Sequence, residues 1–143
     1  MRTITKKGLE ELARTMAVIP EKEQEGYVGK DGYTEYFSSE KELHDYLYWW
    51  SNNMHTEIAF VQFSDGTYAT YLDEKNTHIS SYITLKDHHD GTYSFEDKQI
   101  DLRGHVHPAG TNPDPSEADK KSANQTSSIP CYVFANGKYE LVN

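Results

Sequence analysis

The run GHVHPAGTNPDPSEAD, residues 104–119, constrains the fold of this chain more than any other feature. It sets two imidazoles two residues apart and supplies a carboxylate twelve residues after the second, across a loop rich in Pro, Gly and Asn. In an extended strand the side chains at i and i+2 leave from one face, so His105 and His107 reach a common point while Val106 turns into packing. Ser116 to Asp119 reads as the N-cap and first turn of a helix, because a serine oxygen accepts from the orphan amides there and Pro115 disfavours helix before it. Asp119 then faces the histidines. Any fold for this chain must therefore bring one strand end and one helix start together.

Two neutral imidazoles, one carboxylate and a position for water match a catalytic zinc shell. Structural zinc takes four protein ligands and favours cysteine. The single cysteine, Cys131, excludes a cysteine-rich site of that kind. The expected cofactor is Zn2+, held by His105, His107 and Asp119. His88 and His89 fall in a turn, and His44, His55 and His78 lack partners at ligand spacing, so none of these is assigned to the metal.

The length of 143 residues fits one core plus an extension. A formal net charge of -9 disfavours a nucleic-acid backbone or an anionic membrane as the main partner. No intramolecular disulfide can form, and Cys131 reads as a small buried apolar residue. The N-terminal run MRTITKKGLEELARTMAVIP lacks an unbroken apolar stretch of signal-peptide length. The cytoplasm is the default expectation, with signal-independent export left open.

Along the chain, Leu9, Leu12 and Met16 recur at helical spacing and predict a short helix over Gly8–Met16, ending before Pro20. Residues 21–37 mix charge, glycine and tyrosine without period, and read as an irregular connector or weak hairpin. Ser39 and Glu42 form an S-x-x-E capping pattern ahead of Leu43, Tyr46, Leu47 and Trp50, predicting a helix from Glu40 to Asn52. Trp49 and Trp50 read as core or interface anchors. The period then changes to two. EIAFVQF, TYATYLD, SYITLKD, TYSFED and IDLRGHVH read as strands, with turns at Ser64–Thr67 and His88–Thr92. A helix over Ser116–Asn124, a strand over Ile129–Phe134, the Asn136-Gly137 turn and a strand over Lys138–Val142 complete an α+β domain with a mixed or antiparallel sheet.

With these residues in view, H-x-H-P-x-G followed by P-S-x-x-D resembles the JAB/MPN superfamily in its metal-binding JAMM form, over about residues 40–143. The family pattern is a glutamate, then H-x-H, seven residues, Ser, two residues and Asp. Here it falls on Glu57, His105, His107, Ser116 and Asp119. Glu57 stands where the family places its glutamate, after a helix and at the start of an apolar strand. Two departures exist: eight residues separate His107 from Ser116, and Val106 replaces the commoner Ser or Thr.

The resemblance implies a cytidine-deaminase-like α+β fold, with residues 1–37 as an extension and 38–143 as the catalytic domain. Zinc sits on His105, His107 and Asp119 in that reading, and Glu57 and Ser116 are catalytic. The implied function is hydrolysis of a peptide or isopeptide bond by metal-activated water, on a peptide or protein substrate. Bacterial toxin-like and housekeeping JAB proteins are the nearest comparison. The alternative is a non-catalytic JAB/MPN-like interaction module, which eleven tyrosines and two tryptophans would suit. A nucleobase deaminase would need H-x-E and P-C-x-x-C, which Val106-His107 and the lone Cys131 do not provide. Oligomeric state and substrate are open at this stage.

Overall fold

The computed structural model describes residues 32–143. The helix expected at Gly8–Met16 lies outside the described residues, as does most of the connector expected over 21–37. From there the chain runs β1 (Tyr33–Phe37), α1 (Glu40–Asn53), β2 (Ala59–Phe63), β3 (Tyr68–Leu72), β4 (Lys86–Asp87), β5 (Tyr93–Phe95), β6 (Lys98–Val106), α2 (Glu117–Gln125), β7 (Cys131–Ala135) and β8 (Lys138–Leu141). The class is α+β. The strands form one sheet in the order β1-β3-β2-β6-β5-β4, with β7 on β6 and β8 on β7.

Strand β6 is the organising element. It pairs antiparallel with β2, from Ala59↔His105 to Phe63↔Ile100. On its other side, β5 takes its first half and β7 its second. The β6–β7 pair is the parallel one, and α2 makes the crossover between them, as parallel neighbours require. Gly104 sits mid-strand because nothing larger fits. A Cβ there would lie 2.3 Å from the Phe60 ring and 2.6 Å from the Tyr132 carbonyl oxygen.

Helix α1 covers one face. Its Leu43, Tyr46, Leu47 and Trp50 pack with Phe37, Met54, Ile58, Phe60, Val106 and Phe134, each large side chain contributing about 1.5–3 kcal/mol on burial. Ser39 caps α1 by accepting from the Glu42 amide. The Glu42 carboxylate reaches the Ser38 amide and hydroxyl instead of returning to Ser39, so the expected reciprocal box is half formed, one residue early. A second core of Val61, Phe63, Ala69, Phe95, Ile100 and Ile129 lies beyond it. Asn136 and Gly137 both take positive φ, 54° and 77°, the geometry of the expected hairpin turn.

Two segments differ from the sequence expectation. Tyr33–Phe37, inside the expected connector, is strand β1, paired with β3 from Tyr33↔Leu72 to Phe37↔Tyr68. Its alternation was hidden because Glu35, and not an apolar residue, takes an inward position with 2% exposure. The expected strand over 81–87 shrinks to Lys86–Asp87. Upstream, side chains replace the ladder: Asn76 Oδ1 accepts from the Tyr82 amide, and Thr77 Oγ1 accepts from the Ser80 amide. Such local bonds give a backbone an alternative to strand pairing.

Candidate metal centre

The end of β6 carries His105 on the sheet face opposite α1. Val106, between the two histidines, is fully buried against α1. The strand continues past its last ladder pair, since the Val106 amide donates to the Ile58 carbonyl and the His107 amide to the Phe134 carbonyl. Continuing the β2–β6 register from Ala59↔His105 sets Glu57 across from His107. The Glu57 backbone is held from both sides, its amide donating to the Thr77 carbonyl over 2.7 Å and its carbonyl accepting from Asn76 Nδ2 over 2.8 Å.

The loop after His107 is anchored by the Ala109 amide, which donates to the Ser51 carbonyl over 2.7 Å. It delivers Ser116 as the N-cap of α2. The Asp119 amide donates to Ser116 Oγ, and the Ser116 amide donates to Asp119 Oδ2 over 2.8 Å, a complete capping box. The eight-residue spacing between His107 and Ser116 therefore still brings Asp119 to the histidines. His105 Nε2 lies 3.0 Å from Asp119 Oδ1, and His107 Nε2 lies 3.1 Å from Asp119 Oδ2. The two imidazole Nε2 atoms are 3.2 Å apart. Glu57 stands further back, 3.9 Å from His105 Nε2 and 3.8 Å from His107 Nε2.

Glu57, His105 and His107 are buried and each presents a ligand atom within 4.8 Å of the others, so the group could hold a metal ion. Two nitrogens 3.2 Å apart subtend about 103° at an ion about 2.05 Å from each, near the tetrahedral angle. The hydrogen bonding also calls for a cation. The Asn112 carbonyl lies 2.9 Å from His107 Nδ1, and a carbonyl only accepts, so Nδ1 carries a proton. In the neutral ring Nε2 then turns a lone pair towards the Asp119 carboxylate, an arrangement that needs a proton or a metal ion between them.

Electrostatics follow from this crowding. Burial, reinforced by the Asp119 charge and opposed by both imidazoles and the Ser81 hydroxyl, raises the Glu57 carboxyl to about 7. Burial alone would raise Asp119 too, but hydrogen bonds from both histidines and from the Ser116 amide hold it well below the usual carboxylate range. Its place in the first turn of α2 adds the favourable end of the helix dipole. For His107, burial opposes protonation, yet the Asp119 hydrogen bond and the Glu57 and Asp119 charges push its pKa up.

The structure thus brings Glu57, His105, His107 and Asp119 together. Ser116 is exposed and is spent on capping, with its hydroxyl oxygen as acceptor. His88 and His89 are exposed, as are His55 and His78, while His44 bonds the Gly137 carbonyl. Cys131 is buried. Sequence reasoning missed Asn76, which fixes Glu57, and Ser81, whose hydroxyl serves the Glu57 carboxylate. It also missed Arg103, on the same face of β6 as His105. Ser81, Arg103 and Asp119 help line a cleft of about 390 Å³ walled by Ile79, Ser80 and Tyr82. No helix among the described residues is long and apolar enough to cross a membrane. No family model, curated protein or solved structure matches this chain, so its own geometry supports the functional reading.

Proposed function

We propose that this chain is a zinc-dependent hydrolase of the JAMM type, with a JAB/MPN-like fold, that cuts a peptide or isopeptide bond. The observation that supports this reading is the convergence of both Nε2 atoms and both Asp119 oxygens within 3.0–3.2 Å, with a second carboxylate 3.8–3.9 Å behind. The shorter distances suit His105, His107 and Asp119 as ligands, and the longer ones suit Glu57 as a base beside them. Zinc bound there would lower the pKa of its water to about 7 and polarise the scissile carbonyl.

The residues of the chain do the rest. Glu57, with a carboxyl pKa near neutrality, accepts a proton from the attacking water and returns it to the leaving amine. Asn76 fixes its backbone and Ser81 its carboxylate. Asp119 is held for ligation by the Ser116 amide, and the Asn112 carbonyl fixes the ring of His107. A hydroxyl can accept and donate at once, so Ser116 can cap α2 while its proton is offered to the oxyanion, a contact worth about 3 kcal/mol in other hydrolases.

Metal content and activity test this together. Purified protein is expected to hold one zinc per chain, His105→Ala is expected to lose it, and Glu57→Gln is expected to keep the metal while abolishing chelator-sensitive hydrolysis of a peptide library. Zinc-free wild-type protein that takes up no added zinc contradicts the reading, as does full peptidase activity in Glu57→Gln.

A further inference from the structure

We propose that Arg103 recognises a carboxylate on the substrate, about two residues from the bond that is cut. This inference rests on the hydrolase reading above and names its substrate class as an acidic peptide. Arg103 and His105 are alternate residues on β6, so they share a face and their backbones are about 6.8 Å apart at roughly 3.4 Å per residue. Both line the same cleft, whose far wall is the Ile79–Thr84 segment. A substrate strand lying along β6 has the same repeat, which sets the recognised group two residues from the scissile carbonyl.

The chemistry of Arg103 points to an anion. Its Nε donates to Thr126 Oγ1 over 2.8 Å, and its Nη2 donates to the Ser122 carbonyl over 2.7 Å and to Ser122 Oγ over 3.2 Å. All three acceptors are neutral and none of these bonds uses Nη1. Among the described residues no carboxylate pairs with this half-buried guanidinium, although the chain carries 23 acidic residues. The three bonds fix the fork, so a carboxylate meets a guanidinium already oriented, and little rotamer freedom remains to be lost on binding. Lys75 lines the same cleft, and its ammonium too makes no ion pair with a carboxylate among the described residues. A divalent ion at the metal centre would offset Glu57 and Asp119, which would leave Arg103 and Lys75 against Asp73 and give the cleft a net attraction for anions.

Four peptides test the inference on zinc-loaded Glu57→Gln protein: Ac-Gly-Gly-Glu-Gly-NH2 and its Gln twin, and Ac-Gly-Gly-Gly with a free or an amidated C-terminus. One acidic peptide is expected to bind about tenfold tighter than its neutral twin. It should also move the guanidinium ¹⁵N resonances of Arg103 while leaving those of Arg2 and Arg14 in place. Preference within the internal pair assigns a side-chain carboxylate; preference within the terminal pair assigns a chain end. Arg103→Gln should erase the preference, with zinc content reporting whether α2 still holds Asp119 in place. Equal binding of acidic and neutral twins overturns the inference, and so does a preference that survives Arg103→Gln. If that variant does not fold, the Arg103 resonances of the arginine-intact protein decide. If the protein takes up no zinc the hydrolase reading fails by itself, and titration of the metal-free protein with the same peptides still decides for or against Arg103.

Discussion

The Asn112 carbonyl lies 2.9 Å from His107 Nδ1, and this contact dictates which nitrogen of the imidazole faces Asp119. A backbone acceptor cannot be lost by side-chain substitution, so the ring is fixed by the path of the loop. Once the ring has been titrated to its neutral form, ¹⁵N spectra of metal-free protein are expected to show His107 as the Nδ1-protonated tautomer. Added zinc should shift Nε2. A resting Nε2-protonated tautomer contradicts the assignment.

Glu57 makes metal-free protein sensitive to pH. Its carboxyl is raised from 4.5 to about 7, chiefly by burial, so the folded state favours the protonated form. The resulting penalty is absent below pH 4.5, grows as pH climbs through the folded value and is complete above it, at roughly 3 kcal/mol. Gln mimics the protonated acid. Glu57→Gln is expected to stabilise the metal-free protein by about that amount at pH 8.5 and by little at pH 4, as read from urea unfolding at both values. Equal effects at the two pH values contradict this.

Asn76 is 1% exposed and bridges the Glu57 carbonyl and the Tyr82 amide. Asn76→Ala leaves both partners without their bond, at about 1–3 kcal/mol each. Chemical denaturation should show a loss of about 2–6 kcal/mol for the two bonds together. Because Glu57 is no longer held, turnover should fall further than stability explains, in kcat more than in KM.

Ser116 separates capping from catalysis. Ser116→Asn keeps a capping oxygen and removes the hydroxyl, so stability should change by less than about 0.5 kcal/mol. Hydrolysis should fall about a hundredfold if the hydroxyl meets the oxyanion. Ser116→Ala should lose about 1 kcal/mol of stability as well. Unchanged turnover in Ser116→Asn would confine this residue to the cap.

Gly104 tests the register that sets Glu57 opposite the histidines. A methyl group there meets Phe60 and the Tyr132 carbonyl at 2.3 Å and 2.6 Å, contacts that the strands can relieve only by separating. Gly104→Ala is expected to cost at least about 2 kcal/mol, with partial rescue by Phe60→Leu, as measured by thermal unfolding. Full stability in the single variant contradicts the packing described.

The parts legible in the sequence share one property: their signal is local. The cap of α1 on Ser39, the i, i+2 pair of His105 and His107, the cap at Ser116 and the Asn136-Gly137 turn each depend on a few adjacent residues, and each appears where the pattern places it. Asp119 was legible for the same reason, since a helix start fixes where its third residue points. Asn76, Ser81 and Arg103 were not, because their roles arise from segments that meet only in the folded sheet and their surroundings, EKNTHISS and IDLRG, read as an ordinary polar loop and an ordinary strand. Strand β1 was obscured by the inward Glu35. The 81–85 segment has a strand's alternation, but the Asn76 side chain takes the Tyr82 amide, and Thr77 takes that of Ser80 just before the segment.

Anomalous diffraction from a zinc-soaked crystal tests the central claim most directly. The expected result is one ion about 2.0–2.2 Å from His105 Nε2, His107 Nε2 and an Asp119 oxygen, with the Glu57 carboxylate outside bonding distance. Strong anomalous density elsewhere, or an ion bound by Glu57 in place of Asp119, would contradict it.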